Sequence, residues 1–428
     1  MASASEFGFS EQVTESRASM PVGADAPKRY LRGTHRTCSP DETLARVMPL
    51  LSSMGITRVA NVTGLDRTGI PVVMVCRPNA RSIAVSQGKG LTLEAAKVSG
   101  IMESIEVWHA ERIMRPVKLA SFDEMRRVHR MADVARLPKA AGSLYTPHFP
   151  LLWIEGEDLL GQGPAWLPLE LVSANYTVPL PTGSGCFQAN TNGLASGNHS
   201  TEAVNHGLCE VVERDATTLW RLQAARERDS RAVEPTTIDD APCREVLDRF
   251  RAAALEIRIW ECTTDVGIAC FVCLLLDPVN DDVDPEFGAG CHPQRGVALL
   301  RALTEAAQAR NTTIAGARDD YAPEAYTAAY RRRRREFCRR LLGTQSPRRS
   351  FQHVPSYQSE TVQGDLRWML ARLRTVGVDQ VIVVDITNEA LGVPVVRVVV
   401  PGLEGLMEDE EGDYAPGERA RKYMPWRA

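Results

Sequence analysis

The sequence predicts an α+β fold, with mixed α/β as the neighbouring alternative, and three observations carry that prediction. Runs rich in β-branched residues come in adjacent pairs joined by turn residues, the pattern of antiparallel strands. Between the pairs lie long segments that open with helix-start signals. Three times a glycine-rich stretch leads straight into such a helix.

The elements follow in order. SPDETLARVMPLL has a capping serine, a proline at the first helical position and acids in the first turn, so a helix begins there. TRVANVTG and PVVMVCRP flank the turn-like LDRTGI and predict paired strands. SQGKGLTLEAA reads as a glycine-bounded loop entering a helix that continues through SGIMESIEVWHAER. From Met114 to about Leu180 prolines are frequent, and only FPLLWIEGEDL and AWLPLELV read as strands. TNGLASGNHS is a second glycine-rich loop before a long helix, and FGAGCHPQRG, after the strand runs EIRIWECTT and GIACFVCLLLD, is a third. YRRRRREFCRR reads as an exposed basic helix face, DLRWMLARLRTVG as a helix, and QVIVVDIT and VPVVRVVVPGL as strands. One domain is expected over residues 31–404, between a mobile N-terminal tail, 1–30, and an acidic, loosely held tail, 405–428.

Fifty Lys and Arg against 54 Asp and Glu leave a formal net charge of −4 over 428 residues, so nothing global points to nucleic acid or an anionic membrane. The ten cysteines are scattered, several within apolar runs, as buried thiols of a reducing compartment are. Cys270 and Cys273 have the spacing of a metal pair but no second pair, so no metal is expected there. The longest apolar run falls well short of the ~20 residues of a spanning helix, and the N-terminus has no signal-peptide character. A cytoplasmic location is the expectation.

The chemistry lies in the helices behind the glycine stretches. They carry polar pairs three residues apart, Glu103 and Glu106, Glu210 and Glu213, Glu305 and Gln308, each among apolar neighbours, a weak internal repeat. Residues at that spacing share a helix face with Cβ atoms roughly 5–6 Å apart, so each glutamate pair can hold a hard cation. Four carboxylates in an apolar setting repel one another and lose hydration, so cations must be supplied. Mg²⁺ suits carboxylates together with substrate phosphates. GKG and NGLASG could present backbone N–H groups to phosphate, and Lys89, Arg214, Arg301 and Arg310 could balance its charge. The competing reading is a solvated face with Glu210 and Arg214, or Glu106 and Arg112, as ordinary ion pairs. Neither a GxxxxGK[ST] loop nor a kinase catalytic loop is present, so the nucleotide site would lie outside those classes. His109, His199, His206, His292 and Cys186 form no metal or nucleophile pattern and are expected to be structural.

AVSQGKGLTLEAAKVSGIMESIEVWHAER, TNGLASGNHSTEAVNHGLCEVVERDA, GCHPQRGVALLRALTEAAQARNTTIAGARDD and LGVPVVRVVVPGLE together resemble the YcaO family, from about residue 32 to residue 404. The resemblance implies a YcaO-type fold of mixed β-sheets with packed helices and an ATP site between them. It implies an ATP- and Mg²⁺-dependent enzyme that activates a peptide backbone amide by O-phosphorylation during maturation of a ribosomally made peptide. A substrate side chain as nucleophile gives an azoline, sulfide a thioamide, an amine an amidine. By the same resemblance Glu103, Glu106, Glu210 and Glu213 hold Mg²⁺, Ser99 lies by the nucleotide, and Arg214 meets phosphate, with Glu202 and Asn198 as further nucleotide-site residues. Arg36 and Thr43 stand where the family has a lysine and a serine that touch ATP. Arg301 matches a later phosphate-binding arginine, with Arg310 in reserve, and no enzyme side chain acts as nucleophile.

Azoline-forming members end in a PxPxP tail, whereas this sequence ends YMPWRA, and its motifs look like the branch that works with TfuA partners. Thioamide formation with a sulfide donor is therefore the expected activity. The alternatives are an azoline- or amidine-forming enzyme with a ThiF-like partner, and a non-catalytic scaffold for the precursor peptide. A homodimer is expected.

Overall fold

The computed structural model describes residues 25–280, 283–317, 323–343, 348–405 and 415–424. Helix α1 (Pro40–Val47) opens with a capping box, Ser39 and Glu42 satisfying each other's backbone N–H. Strands β1 (Arg58–Asn61), β2 (Val72–Cys76) and β3 (Val85–Lys89) form an antiparallel sheet in that order, and α2 (Leu93–Ala110) packs across it. Next come β4 (Val117–Ala120), α3 (Phe122–Met125), β5 (Leu151–Asp158), β6 (Gly163–Pro168), β7 (Leu194–Ser196) and α4 (Ser200–Leu222). After α5 (Ala225–Ser230) and α6 (Ala241–Ala252), a second antiparallel sheet of β8 (Glu256–Glu261), β9 (Cys270–Leu276) and β10 (Glu286–Cys291) leads to α7 (Arg295–Ala315). The remaining elements are α8 (Ala328–Leu342), α9 (Val362–Thr375), β11 (Ile382–Asp385), β12 (Val395–Val399) and α10 (Glu418–Arg421).

Two of the three members of the weak repeat are a three-stranded sheet followed by its covering helix, β1–β3 with α2 and β8–β10 with α7, whereas the third helix, α4, follows β7 of another sheet. A third sheet has the order β4-β5-β11-β12-β7, with β6 on β5. The late strands enter its middle, Ile382 opposite Asp158 and Val396 opposite Ala195, and α4 packs on β12 and β7. Apolar side chains join the layers. Ile101 and Ile105 of α2 share a core with Val73 and Trp153, Leu208 and Val212 of α4 one with Val396, Val398 and Met369, and Leu299 and Leu303 of α7 one with Leu275 and Phe250.

Two of the three glycine stretches expected to be loops are strands. SQGK lies in β3 and FGAG in β10, while of NGLASG only the centre forms β7. Their glycines admit a helix rather than a phosphate. A Cβ on Gly88 would strike the backbone of Ala96 and Gly100, and one on Gly288 that of Ala302 and Ala306. One on Gly207 of α4 would stand 2.8 Å from Gly193 O.

Three further expectations change. Residues 25–30, assigned to the N-terminal tail, pack on α9, with Lys28 Nζ 2.6 Å from Asp365; the earlier part of that tail lies outside the described residues. In the C-terminal tail the acidic stretch 406–414 also lies outside them, but Arg419 of α10 ion-pairs with Asp215 at 2.9 Å and also with Asp265. The arginine run in α8 is exposed at Arg332 and Arg333, whereas Arg335 is buried against the carbonyls of Asp277 and Asn280 and Arg334 pairs with Glu286. Cys270 and Cys273 sit in different cores because three steps along a strand change its face. No helix among the described residues is long and apolar enough to cross a membrane.

The glycine contacts make a stability prediction. Gly88→Ala forces α2 off β3 and should lower unfolding free energy by about 1–3 kcal/mol, as overpacking does. A urea melt checks this, and an unchanged midpoint would contradict the packing role.

Candidate active site

Three helices bring their carboxylates to one place. Glu103 and Glu106 come from α2, Glu210 and Glu213 from α4, and Glu305 from α7. Glu106 is 9 % exposed and Glu213 4 %, so the solvated-face reading fails for these two, while Glu103, Glu210 and Glu305 are half-buried beside them. The backbone N–H and Oγ of Ser196, on β7, donate to Glu106 Oε1 at 2.8 and 2.6 Å. Glu103 accepts from Gln87 N at 3.4 Å.

The charges do not balance locally. Burial, opposed by the Ser196 hydrogen bonds and reinforced by Glu103 and Glu210, pushes the Glu106 carboxyl up to about 8. Burial raises Glu210 to about 7 although Arg214 opposes it. Burial also raises Glu213, against Arg214 and with help from Glu305. For Glu305 the burial effect is overcome by Lys89, 3.0 Å away, and by Arg214, so its carboxyl is held low. Arg214 itself stands 3.7 Å from Glu210 and 3.8 Å from Glu213, too far for strong hydrogen bonds. Buried oxygens on paired glutamates, short of positive charge, are a donor set that fits a hard divalent cation.

A second group adjoins the first. The bent segment before α1 places Thr37, whose N and Oγ1 donate to Glu202 at 2.8 and 2.9 Å, and Arg36, 3.3 Å from the same carboxylate. Glu202 also accepts from Asn198 N at 3.1 Å, and Thr43 Oγ1 donates to Asn198 Oδ1 at 3.1 Å. Asn198 lies two residues beyond Ser196, which ties this polar wall to Glu106. Burial would raise Glu202, but Arg36 and the Thr37 and Asn198 amides outweigh it and hold it low. The segment is anchored by Lys28, between Asp365 and His35, and by His35 edge-on to His292 at 5.0 Å. Arg301 Nη2 donates to His206 Nε2 at 2.8 Å, and burial together with Arg301 and Arg36 keeps that imidazole neutral at physiological pH.

The structure therefore gathers Arg36, Thr43, Asn198, Glu202, Glu103, Glu106, Glu210, Glu213, Arg214 and Arg301, with Ser99 half-buried one helical turn before Glu103. Arg310 is different. Its guanidinium grips Asp66 at 3.0 and 3.1 Å with 1 % exposure, because nine residues along α7 separate it from Arg301 and bring it to the turn after β1. Lys89 pairs with Glu305. Sequence reasoning missed Ser196 and Arg397. Ser196 gives no signal in a glycine-rich stretch, but Arg397 stands alone among valines in VPVVRVVV, a charge in a strand that reads as buried. Burial lowers the Arg397 guanidinium to about 10, with Tyr176 and Glu210 opposing.

Comparisons with known proteins show the family and the fold. The profile of the family described as YcaO cyclodehydratase, ATP- and Mg²⁺-binding, matches residues 87–404. A protein in the tfuA 3′ region of Rhizobium leguminosarum bv. trifolii is 36 % identical over 376 residues, covering 86 % of this chain and 88 % of that one. A Methanothermobacter thermautotrophicus protein is 37 % identical over 385 residues, covering 87 % and 96 %. Among solved structures, YcaO from Methanopyrus kandleri bound with AMPPCP and Mg²⁺ superposes with TM-score 0.71 at 23 % identity, covering 92 % of this chain and 99 % of that one. A heterocyclase in complex with substrate and cofactor gives 0.72 at 21 %, covering 94 % of this chain, which spans 56 % of that protein.

The raised carboxyls set a pH dependence. Glu106 and Glu210 ionise near 4.3 when unfolded, so folding takes up protons, and their contribution to stability falls as pH rises to about 8 and is flat above it. Metal-free protein should lose thermal stability between about pH 5 and pH 8, and Glu106→Gln should lose less. Mg²⁺ with a nucleotide analogue should stabilise the wild type more at the higher pH. Identical melting profiles for wild type and variant would contradict the assignment.

Proposed function

This chain belongs to the YcaO family of ATP- and Mg²⁺-binding proteins, and we propose that it replaces a backbone amide oxygen of a ribosomally made peptide with sulfur, consuming ATP. The observation that carries an ATP-dependent reaction is the buried carboxylate cluster short of positive charge. The similarity to a protein of a tfuA region supports a thioamide product and a TfuA-like partner.

In this reading Glu103, Glu106, Glu210 and Glu213 would hold Mg²⁺, which when bound would supply positive charge to balance the phosphates. Arg301 and Arg214 face the phosphates. His206, neutral and accepting from Arg301, fixes that guanidinium without adding charge. Thr37, Arg36, Thr43 and Asn198 hold Glu202 and one another, forming a preorganised wall for the rest of the nucleotide. Ser196 keeps Glu106 in one rotamer, so the cluster needs little reorganisation when cations arrive. The amide carbon is a weak electrophile, and phosphorylating its oxygen lets an external nucleophile displace phosphate. No enzyme nucleophile is required.

Glu103→Gln and Glu213→Gln should each lower ATP-dependent peptide modification more than about a hundredfold while leaving the circular dichroism spectrum unchanged. Retained turnover in both would contradict the site. Mass spectrometry of the peptide reads the product. A gain equal to sulfur minus oxygen supports thioamidation, and the loss of one water identifies azoline formation instead.

A further inference from the structure

Arg397 lies at the centre of β12, between Val396 and Val398 and opposite Leu194 of β7 and Val384 of β11, with 1 % exposure. Its Nη2 donates to Asn190 O at 2.7 Å and to Asn190 Oδ1 at 3.4 Å. Among the described residues its Nε and Nη1 have no hydrogen-bond partner, and it makes no ion pair. A fully buried cation with two unmade hydrogen bonds is a costly arrangement, and it calls for an acceptor.

The guanidinium lines a cavity of ≈ 30 Å³ with Asn190, Asn192, Val211 and Leu403. That volume holds about one water-sized species, not a phosphate group or a peptide terminus. Its remaining walls are Pro138, Leu171 and Val398 to Val400, with the Gln188 amide and Glu404, whose two carboxylate oxygens are taken up by Gly417 N and Ala420 N, and this mostly apolar lining suits a soft, weakly hydrated monovalent anion. Val211 follows Glu210 along α4, and Val395, two residues before Arg397, pairs with Ser196, the residue that holds Glu106. The cavity therefore adjoins the carboxylate cluster.

We propose that Arg397 and this cavity bind hydrosulfide, the nucleophile of the thioamide reaction, next to the ATP site. The identity of the anion rests on the thioamide reading; the existence of an anion site does not. In the step it serves, sulfur forms a C–S bond to the amide carbon and the amide oxygen forms an O–P bond to the γ-phosphoryl of ATP. The C–O bond then breaks, and the proton brought by sulfur leaves with phosphate. Amide, hydrosulfide and ATP thus give thioamide, ADP and hydrogen phosphate with no redox change.

Crystals of the full chain soaked in bromide should show an anomalous peak at Arg397 Nε and Nη1. A bromide peak elsewhere with only water at Arg397 overturns the site, even if the peptide product contains sulfur. In turnover with sodium hydrosulfide, Arg397→Lys and Arg397→Gln should raise the sulfide KM about tenfold or more, as loss of a charge-assisted hydrogen bond does, with the ATP KM little changed. A fall in kcat at every sulfide concentration with unchanged sulfide KM overturns the proposal. So does a bromide-binding protein whose peptide product lacks sulfur, an outcome that removes the thioamide reading while leaving a halide-binding arginine.

Discussion

Carboxylates buried against one another set the terms for this structure. Glu103, Glu106, Glu210, Glu213 and Glu305 come from helices far apart in sequence, and no polypeptide gathers them for stability alone, since each loses hydration and repels the rest. The protein meets part of that penalty with its own groups. Ser196 bonds Glu106, Lys89 bonds Glu305, and Arg214 stands loosely between Glu210 and Glu213. The rest is left as raised carboxyls, burial pushing Glu106 up to about 8 and Glu210 up to about 7.

Placing the carboxylates depends on backbone packing. Glycines in β3 and β10 let α2 and α7 lie directly on their strands, and Gly193 with Gly207 does the same for α4. A side chain at any of these positions would lift the helix, and with it the glutamate or glutamates it carries, away from the cluster. The third sheet completes the arrangement from the C-terminal part of the chain. β12 packs Val396 and Val398 against α4 and carries Arg397 on its other face with Val395 and Val399, and the turn beyond it brings Glu404, whose backbone N–H donates to Asp215 at 2.9 Å.

Much of this was legible in the residues, for identifiable reasons. Glutamates three apart among apolar neighbours lose hydration and gain nothing unless a cation joins them, so the carboxylate cluster could be named from spacing. Ser39 with Glu42 announced α1 by its capping chemistry. Glycine was harder to read. In GKG and FGAG it serves close helix approach inside strands, and the same residues in a loop would serve phosphate; spacing does not distinguish the two. Arg301 and Arg310 also look alike in sequence. Only the fold shows that one faces His206 and the other is consumed by Asp66. Arg397 carried a signal, a lone charge in a valine strand, but its meaning depends on which helix packs above it.

The central claim, that the buried carboxylates are completed by divalent cations beside a nucleotide, is tested most directly by a crystal structure of the full chain with Mn²⁺ and a non-hydrolysable ATP analogue. Anomalous peaks within coordination distance of Glu103 or Glu106 and of Glu210 or Glu213, with the analogue's phosphates on the same ions, are the predicted result. Nucleotide bound elsewhere, with these four side chains holding no metal, would contradict it.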